Sequence, residues 1–223
     1  SRLLSVNWTV EDGNTTQTGN YTADKVGFWN ITMTTGYGLS ASQIVETTHG
    51  LIHSLEVTPS ATATTADDEI QIYTVRIDIR GNRLNVTLPA LAWVPTNGTI
   101  YADTPVRWAP WTAATQTIDA TLENITTRII ISVVHGEVVG IDVRSGDSEI
   151  LTSGNAATIG ALNYDQFGNE WNAAIDAWVI NEPMADQNWL TPSSSYADFD
   201  AVIVGSWTIT ATYIHGQIAM SDS

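Results

Sequence analysis

Cysteine is absent from this 223-residue sequence, so no disulfide bond stabilises the fold. Hydrophobic cores must do so instead, and a hydrophobic content of 43% is enough to build them. No run of 18 apolar residues occurs, which argues against membrane insertion within this segment. The opening residues 1–4 are too short to be a signal peptide, so we expect a processed chain or an excised piece of a longer one.

Basic residues are scarce as well. The sequence holds 8 Lys and Arg against 24 Asp and Glu, a formal net charge of −16. This balance argues against nucleic acid or an anionic membrane as a partner. It suits a soluble protein in a salty exterior or one that meets cations.

Residues that usually carry catalysis are few. There are 4 histidines, and no Ser/His/Asp set, carboxylate pair or phosphate-binding loop can be assembled from the sequence. We therefore expect no enzymatic activity.

The sequence does contain internal repeats. A His-Gly motif occurs at residues 49–57, 135–143 and 215–218, with spacings of 86 and 80 residues. Trp8, Trp93 and Trp178 are spaced by 85 residues each. Such periods fit a repeated small domain better than a solenoid turn.

A third marker, Asp-x-x-Gly-Asn, occurs at residues 78–82 and 165–169, about a dozen residues before a marker tryptophan. The three markers together predict the domain boundaries. These are the rear part of a domain at 1–48, full domains at 49–134 and 135–214, and an opening strand of a further unit or a C-terminal tail at 215–223.

The local periods are those of strands. Residues 207–213 alternate apolar and hydroxyl-bearing side chains, which predicts a half-buried strand. Residues 129–134 are a β-branched run in front of the joint, predicted to be the last strand of their domain and the counterpart of residues 207–214. No long 3.6-residue apolar period is present, so the fold class is all-β.

The Asp-x-x-Gly-Asn turn, the tryptophan strand after it and the Trp-x-Ile-x-Ala-x-Tyr strand at 207–213 resemble the tandem immunoglobulin-like repeats of prokaryotic cell-surface proteins. That group includes invasin/intimin-type adhesins and archaeal surface-layer glycoproteins. The resemblance covers most of residues 51–214 and part of residues 1–48. It implies tandem immunoglobulin-like β-sandwiches, an extracellular location at the cell surface, and further copies or domains of the same protein as partners.

Asn-x-Thr triplets are frequent. Chance predicts about 3 among the 14 asparagines, yet 7 are present. We predict N-glycan acceptors at Asn7, Asn14, Asn20, Asn30, Asn85, Asn97 and Asn124. Asn30 and Asn124 are expected at similar places in their units, and no triplet follows residue 126. The alternative is that a threonine-rich β protein yields such triplets without modification.

Two groups can be distinguished among the nine tryptophans. The three repeated ones are predicted to be core residues. Trp108, Trp111 and Trp189 lie in irregular segments after the tryptophan strand. They either pack over the sandwich or form a binding surface for surface glycans or protein.

Carboxylates near the joints allow calcium as the one cofactor to consider, with Glu137, Asp142 and Asp165 as ligands. A second acidic group lies at residues 67–69. No twelve-residue calcium loop is present, and Asp165 has the alternative role of capping its own turn. The histidines are assigned structural roles at the domain edges.

The sequence thus predicts a structural segment of an extracellular, glycosylated surface-layer or stalk protein, with short joints that restrict bending. One alternative is an adhesin or carbohydrate-binding module that uses the exposed tryptophans. The other is a filament subunit that assembles by strand exchange.

Overall fold

The computed structural model describes residues 5–16, 18–86, 91–144, 155–182, 186–200, 202–203, 205–215 and 218–223. Within these ranges the chain forms 22 strands and a single 3₁₀ turn, Gln187–Trp189. No helix in the described ranges has the length and apolar character needed to cross a membrane. The all-β fold class is confirmed.

The first unit of the chain, residues 5–47, is called unit one and contains an antiparallel sheet and a separate hairpin. The sheet has the order β1-β4-β5, and β2 pairs with β3. The strands are β1 Val6–Val10, β2 Asn14–Thr15, β3 Tyr21–Thr22, β4 Gly27–Thr35 and β5 Ser40–Thr47.

Unit two is a complete two-sheet sandwich. Its strands are β6 Ile52–Pro59, β7 Ala63–Thr65, β8 Ile70–Asp78, β9 Arg83–Asn85, β10 Ala92–Pro95, β11 Thr99–Tyr101, β12 Val106–Ala109, β13 Thr115–Leu122 and β14 Ile125–Val134. One sheet has the order β11-β12-β8-β6, with β9 also on β8, and the other has the order β10-β13-β14-β7. This is the strand order of an immunoglobulin sandwich. Trp108, Ile118 and Ile131 are completely buried between the sheets.

Unit three repeats this order. Its strands are β15 Gly140–Arg144, β16 Ala157–Tyr164, β17 Glu170–Asn172, β18 Ala177–Ile180, β19 Leu190–Pro192, β20 Tyr196–Phe199, β21 Ile209–His215 and β22 Ile218–Asp222. The sheets have the orders β15-β16-β20-β19, with β17 on β16, and β18-β21-β22. The unit encloses its own apolar core, which includes Ile159, Phe199 and Ala211. The fold is therefore a tandem of immunoglobulin-like sandwiches.

The three repeated tryptophans occupy one position in the fold. Trp8, Trp93 and Trp178 each lie on the edge strand beside β4, β13 and β21, opposite Met33, Ala120 and Ala211 respectively. Trp178 is buried in its core, and Trp93 is half-buried against the core of unit two. Trp8 is half-buried too, because unit one lacks an opposing sheet in the described residues.

The C-terminal strands differ from the sequence prediction. Residues 207–214 were expected to be the last strand of unit three, but β21 is the counterpart of β13. The last strand is β22, which pairs antiparallel with β21 from Ala211 opposite Asp222 to His215 opposite Ile218. Residues 218–222, which were expected to open a further unit or form a tail, therefore pair with β21 inside unit three. The alternation of apolar and polar residues identified the strand but not its place among the strands of the unit, since every half-buried strand shows this alternation.

The third His-Gly motif therefore lies at a hairpin, not at a joint between units. His215 ends β21 and Ile218 begins β22. Residues 216 and 217 of this motif lie outside the described residues.

This register identifies the unit-one and unit-two counterparts of Trp207. They are Trp29 and Gln116, because each lies two residues before the isoleucine, Ile31 or Ile118, that matches Ile209. Trp29 Nε1 donates to the carbonyl of Lys25 at 3.0 Å, and Gln116 Nε2 donates to the carbonyl of Thr112 at 3.0 Å. A primary amide in unit two thus replaces the indole N–H.

The same register separates Asn30 from Asn124. Asn30 lies within β4, whereas Asn124 lies in the turn between β13 and β14. The unit-two counterpart of Asn30 is Thr117, so the expected similarity of the two asparagines is wrong.

Unit one has an open face. In its described residues no apolar side chain is fully buried. Ile31 and Met33 are half-buried, whereas their unit-two counterparts Ile118 and Ala120 are inaccessible to solvent. The difference arises because residues 5–47 contain counterparts of β10 to β14 but none of β6 or β8.

Replacing a completely buried indole should be far more costly than replacing an exposed one. Trp108→Ala should lower the free energy of unfolding by about 3–5 kcal/mol, since it opens a cavity in the core of unit two. Trp111→Ala is the control and should cost under about 1 kcal/mol. Urea unfolding followed by far-UV circular dichroism measures both, and equal losses would contradict the assignment of Trp108 to the core.

Candidate functional site

The two junctions between units contain the same arrangement of hydrogen bonds. The first junction joins units one and two, and the second joins units two and three. Each combines the Asp-x-x-Gly-Asn turn of the following unit, the His-Gly joint, and the loop before β4 or β13 of the preceding unit.

The turn begins with an aspartate that organises its own backbone. Asp78 Oδ1 accepts hydrogen bonds from the amides of Arg80 and Asn82, both at 2.9 Å. Gly81 adopts φ 83° and donates its amide to the Asp78 carbonyl at 2.9 Å. Glycine suits this left-handed position because it has no Cβ.

The turn at 165–169 has the same geometry. Asp165 Oδ1 accepts from the amides of Phe167 at 2.9 Å and Asn169 at 3.0 Å, and Gly168 adopts φ 78°. The two copies of the motif therefore fold into one local structure.

The second carboxylate oxygen holds the joint. Asp78 Oδ2 accepts from the Gly50 amide at 3.1 Å, and Asp165 Oδ2 accepts from the Gly136 amide at 2.8 Å. A Cβ on Gly136 would lie 2.7 Å from Cγ of Asp67. A larger residue at this position would therefore collide with the Asp67 side chain unless that side chain moved away from the joint.

The asparagine of the turn reaches back to the preceding unit. Asn82 Oδ1 accepts from the Val26 amide at 3.2 Å, and Nδ2 donates to the Asp24 carbonyl at 3.1 Å. Nδ2 also donates to Asp78 Oδ2 at 2.9 Å. One side chain thus pairs an amide and a carbonyl of unit one while it stays bound to its own turn.

Asn169 makes the same three contacts at the second junction. Its Oδ1 accepts from the Ala113 amide at 2.8 Å, and its Nδ2 donates to the Trp111 carbonyl at 2.9 Å and to Asp165 Oδ2 at 2.7 Å. Every partner lies 87 residues after its counterpart at the first junction. We call the aspartate and asparagine of each turn the Asp–Asn clamp.

Both clamp aspartates are ionised at neutral pH. Only 4% of Asp78 and 1% of Asp165 is exposed. Burial raises the pKa of each carboxyl, but the hydrogen bonds from asparagine and backbone N–H groups outweigh it and hold both pKa values below the ordinary range. A buried carboxylate with such a donor set is stable only while those donors stay in place.

The junctions differ at one pair of surface positions. Arg80 forms an ion pair with Asp24 at 2.6 Å across the first junction. The corresponding residues at the second junction are Phe167 and Trp111, both partly exposed. The clamp is therefore common to both junctions, whereas the flanking residues are charged and paired at the first and apolar at the second.

The joint histidines also have different partners. His49 Nε2 lies 3.2 Å from the Arg83 carbonyl, whereas the His135 ring stacks on Trp171 with centroids 3.6 Å apart. Each ring thus contacts the unit that follows its joint.

Asp67 braces the second junction from within unit two. Its Oδ2 accepts from the Glu137 amide at 2.8 Å. This hydrogen bond holds the pKa of Asp67 below its ordinary value. The described part of unit one has no counterpart of this contact.

The predicted tryptophan surface does not form. Trp108 is completely buried, and its Nε1 donates to the Asn97 carbonyl at 2.9 Å, so its prediction as a contact residue is wrong. Trp189 is half-buried and packs edge-on against Trp207 with centroids 5.2 Å apart. Trp111 is 46% exposed and belongs to the second junction. Position in an irregular segment did not reveal that Trp108 lies on a short inner strand, β12, which pairs with both β11 and β8.

The predicted calcium ligands are not brought together. In the part of the chain that the structure describes, no three His, Asp or Glu side chains are arranged to hold a metal ion. Asp142 bonds to Arg144 at 2.8 Å, and both oxygens of Asp165 accept hydrogen bonds from N–H groups. The capping alternative for Asp165 is the one that the structure contains.

The predicted glycan acceptors lie at or near the surface. Five are exposed and two are half-buried. The exposed ones are Asn7, Asn14, Asn20, Asn85 and Asn124, and the half-buried ones are Asn30 and Asn97. Asn97 Oδ1 accepts from the Trp111 amide at 3.0 Å.

Sequence reasoning found the clamp residues only as repeat markers. The turns and joints were identified, but the loops that they bind, around Val26 and Ala113, were not. One signal was available: the offset of 87 residues that relates the turns also relates these loops.

No family model and no curated protein matches this chain. Among solved structures it is similar to the surface layer protein SbsC, domains 1–6, with 15% identity and a TM-score of 0.35 over 98% of this chain and 34% of that one. It is also similar to invasin, a bacterial integrin-binding protein, with 15% identity and a TM-score of 0.47 over 94% of this chain and 50% of that one. InvD of Yersinia pseudotuberculosis gives 12% identity and a TM-score of 0.46 over 94% of this chain and 72% of that one. The chain thus spans about a third to a half of the first two structures.

Removing a clamp asparagine should weaken its junction. Asn169→Ala leaves the Trp111 carbonyl and the Ala113 amide without their partner, so we expect a loss of about 2–3 kcal/mol in the free energy of unfolding. Asn172→Ala, an exposed position three residues along, is the matched control and should change stability by under about 0.5 kcal/mol. Urea unfolding measures both, and an unchanged Asn169→Ala chain would contradict the clamp.

Acid should weaken the junctions. Because the folded pKa values of both clamp aspartates are lowered from 3.8, their stabilisation is complete above that ordinary value and is lost as pH falls below about 4. We expect a thermal midpoint that is steady near neutrality and drops steeply in this range. Asp165→Asn should lower the midpoint at pH 7 and flatten its acid dependence, whereas the same dependence as in the parent chain would refute the assignment.

Proposed function

We propose that this chain is a structural segment of an extracellular, glycosylated surface-layer or stalk protein, in which clamped junctions hold successive immunoglobulin-like units in fixed orientation. The observation that carries the proposal is the recurrence of the Asp–Asn clamp, with the same donors and acceptors, at both junctions. A binding module needs no such device, whereas an element that transmits shape or load does.

The joints themselves leave little freedom. Only residues 48–51 separate β5 from β6, and only residues 135–139 separate β14 from β15. Within those short joints Gly50 and Gly136 are bound to the clamp aspartates. Opening a junction would strip donors from a buried carboxylate, which is costly.

Charge and glycosylation triplets support an exterior setting. A net charge of −16 keeps such a chain soluble and resists non-specific association. The seven Asn-x-Thr asparagines lie at or near the surface of units one and two. Glycans there would leave unit three bare for contact with neighbours.

The two alternatives lose support. The carbohydrate-binding alternative used a tryptophan surface whose member Trp108 is buried. The strand-exchange alternative used the strand after His215 as donor, and that strand is β22, already paired with β21. In unit two, the corresponding face is covered by the sheet that contains β6 and β8. A sheet of the same kind would cover the open face of unit one.

Small-angle X-ray scattering tests the proposal. A compact chain of this length has a radius of gyration of about 17 Å, and clamped units in tandem should give a clearly larger value with the profile of a rigid elongated particle. The double variant Asn82→Ala/Asn169→Ala should broaden the distance distribution, because the units then reorient, while Asn172→Ala should leave it unchanged. A radius near 17 Å, or a parent chain as flexible as the double variant, would refute the rigid segment.

A further inference from the structure

The outer face of the unit-one sheet presents an aromatic ring beside a glycosylation triplet. Phe28 and Asn30 lie two residues apart on β4, so both side chains project from the same face about 7 Å apart. The other face of β4 carries Ile31 and Met33, the counterparts of core residues in unit two. Phe28 is 70% exposed, which is unusual for a phenylalanine in a strand.

A second apolar side chain completes the surface. Ile44 on β5 lies directly opposite Asn30 in the antiparallel pair and is 64% exposed. Directly paired residues have Cβ atoms about 5 Å apart. Phe28 and Ile44 therefore flank the Asn30 side chain along the strand and across it.

Such a surface matches one face of a hexopyranose. The C–H groups on that face of the ring are apolar and weakly positive, and they pack on the electron-rich face of an aromatic ring. A sugar attached to Asn30 would begin within reach of both apolar neighbours. It would cover area that the bare protein leaves in water.

Two other places in the chain can be compared with the surface around Asn30. In unit two the counterpart positions hold Thr115, Thr117 and Ile130, so the isoleucine recurs without a phenylalanine and without a triplet. On the same outer face of unit one, Asn7 has Ser5 two residues before it. Within the described residues of this face, the aromatic ring accompanies Asn30 and not Asn7.

We propose that Phe28 and Ile44 form a packing site for the first hexopyranose of an N-glycan on Asn30, so that this glycan is fixed against the sheet while the one on Asn7 is free. This inference rests on the glycosylation proposed above. It adds a defined carbohydrate contact that the triplets alone do not specify.

The test uses the full chain secreted from yeast and trimmed enzymatically to a single N-acetylglucosamine on each occupied asparagine. The N-acetyl methyl protons report the ring current of a nearby aromatic side chain in NMR spectra. We expect an upfield shift for the sugar on Asn30 but not for the sugar on Asn7, with Asn30→Gln and Asn7→Gln variants assigning the two signals.

Phe28→Ala should return the Asn30 sugar signal to the position of the Asn7 signal, and Ile44→Thr should reduce the shift. Circular dichroism checks that both variants keep the strand content of the parent. An Asn30 signal that matches Asn7 in the parent chain, or an upfield shift that survives Phe28→Ala, overturns the packing site. So does a folded product in which Asn30 alone stays unmodified.

The failure of this inference can be told from the failure of the proposed function. Peptide mass spectrometry of the protein from its native source shows whether Asn30 carries a glycan. An unmodified native chain would contradict the glycosylated surface role, whereas the NMR shift in the trimmed chain decides the contact between sugar and ring.

Discussion

The structure depends on two buried carboxylates that must keep their hydrogen-bond donors. Asp78 and Asp165 each receive N–H groups from their own turn, from the joint and from an asparagine. A charge buried in this way is unfavourable unless every donor is in place. The cost of exposing or unpairing it therefore couples the turn to the joint, and the asparagine couples both to a loop of the preceding unit.

This coupling explains why the repeat markers recur together. The glycine of the turn allows the left-handed backbone, the glycine of the joint donates its amide to the aspartate, and the asparagine supplies both a donor and an acceptor to the preceding unit. Each residue therefore has a defined role in the backbone conformation or the hydrogen bonding of the junction. The tryptophan on the following strand serves a separate purpose, since it packs within its own unit.

Much of the fold could be predicted from the sequence because strand periodicity and domain-length repeats are local or arithmetic signals. The sandwich class and the assignment of Trp178 to a core followed from them. Strand order did not: residues 207–214 alternate in the way that any half-buried strand does, so pattern alone could not place β21 before β22. Burial of Trp108 was missed because it depends on a pairing with β8, and the partners of Asn82 and Asn169 were missed because they lie in another unit.

The recurrence of the clamp has a geometric consequence for any longer array. A junction whose bonds repeat at each step imposes the same rotation and the same translation each time, which is the definition of a screw axis. Units joined in this way follow a regular superhelix, and a given face turns by a constant angle from one unit to the next. The exchange of the Arg80–Asp24 pair for Phe167 and Trp111 leaves the hydrogen bonds of the clamp in place. The flanking residues can therefore vary in chemistry from one junction to the next while the clamp stays the same.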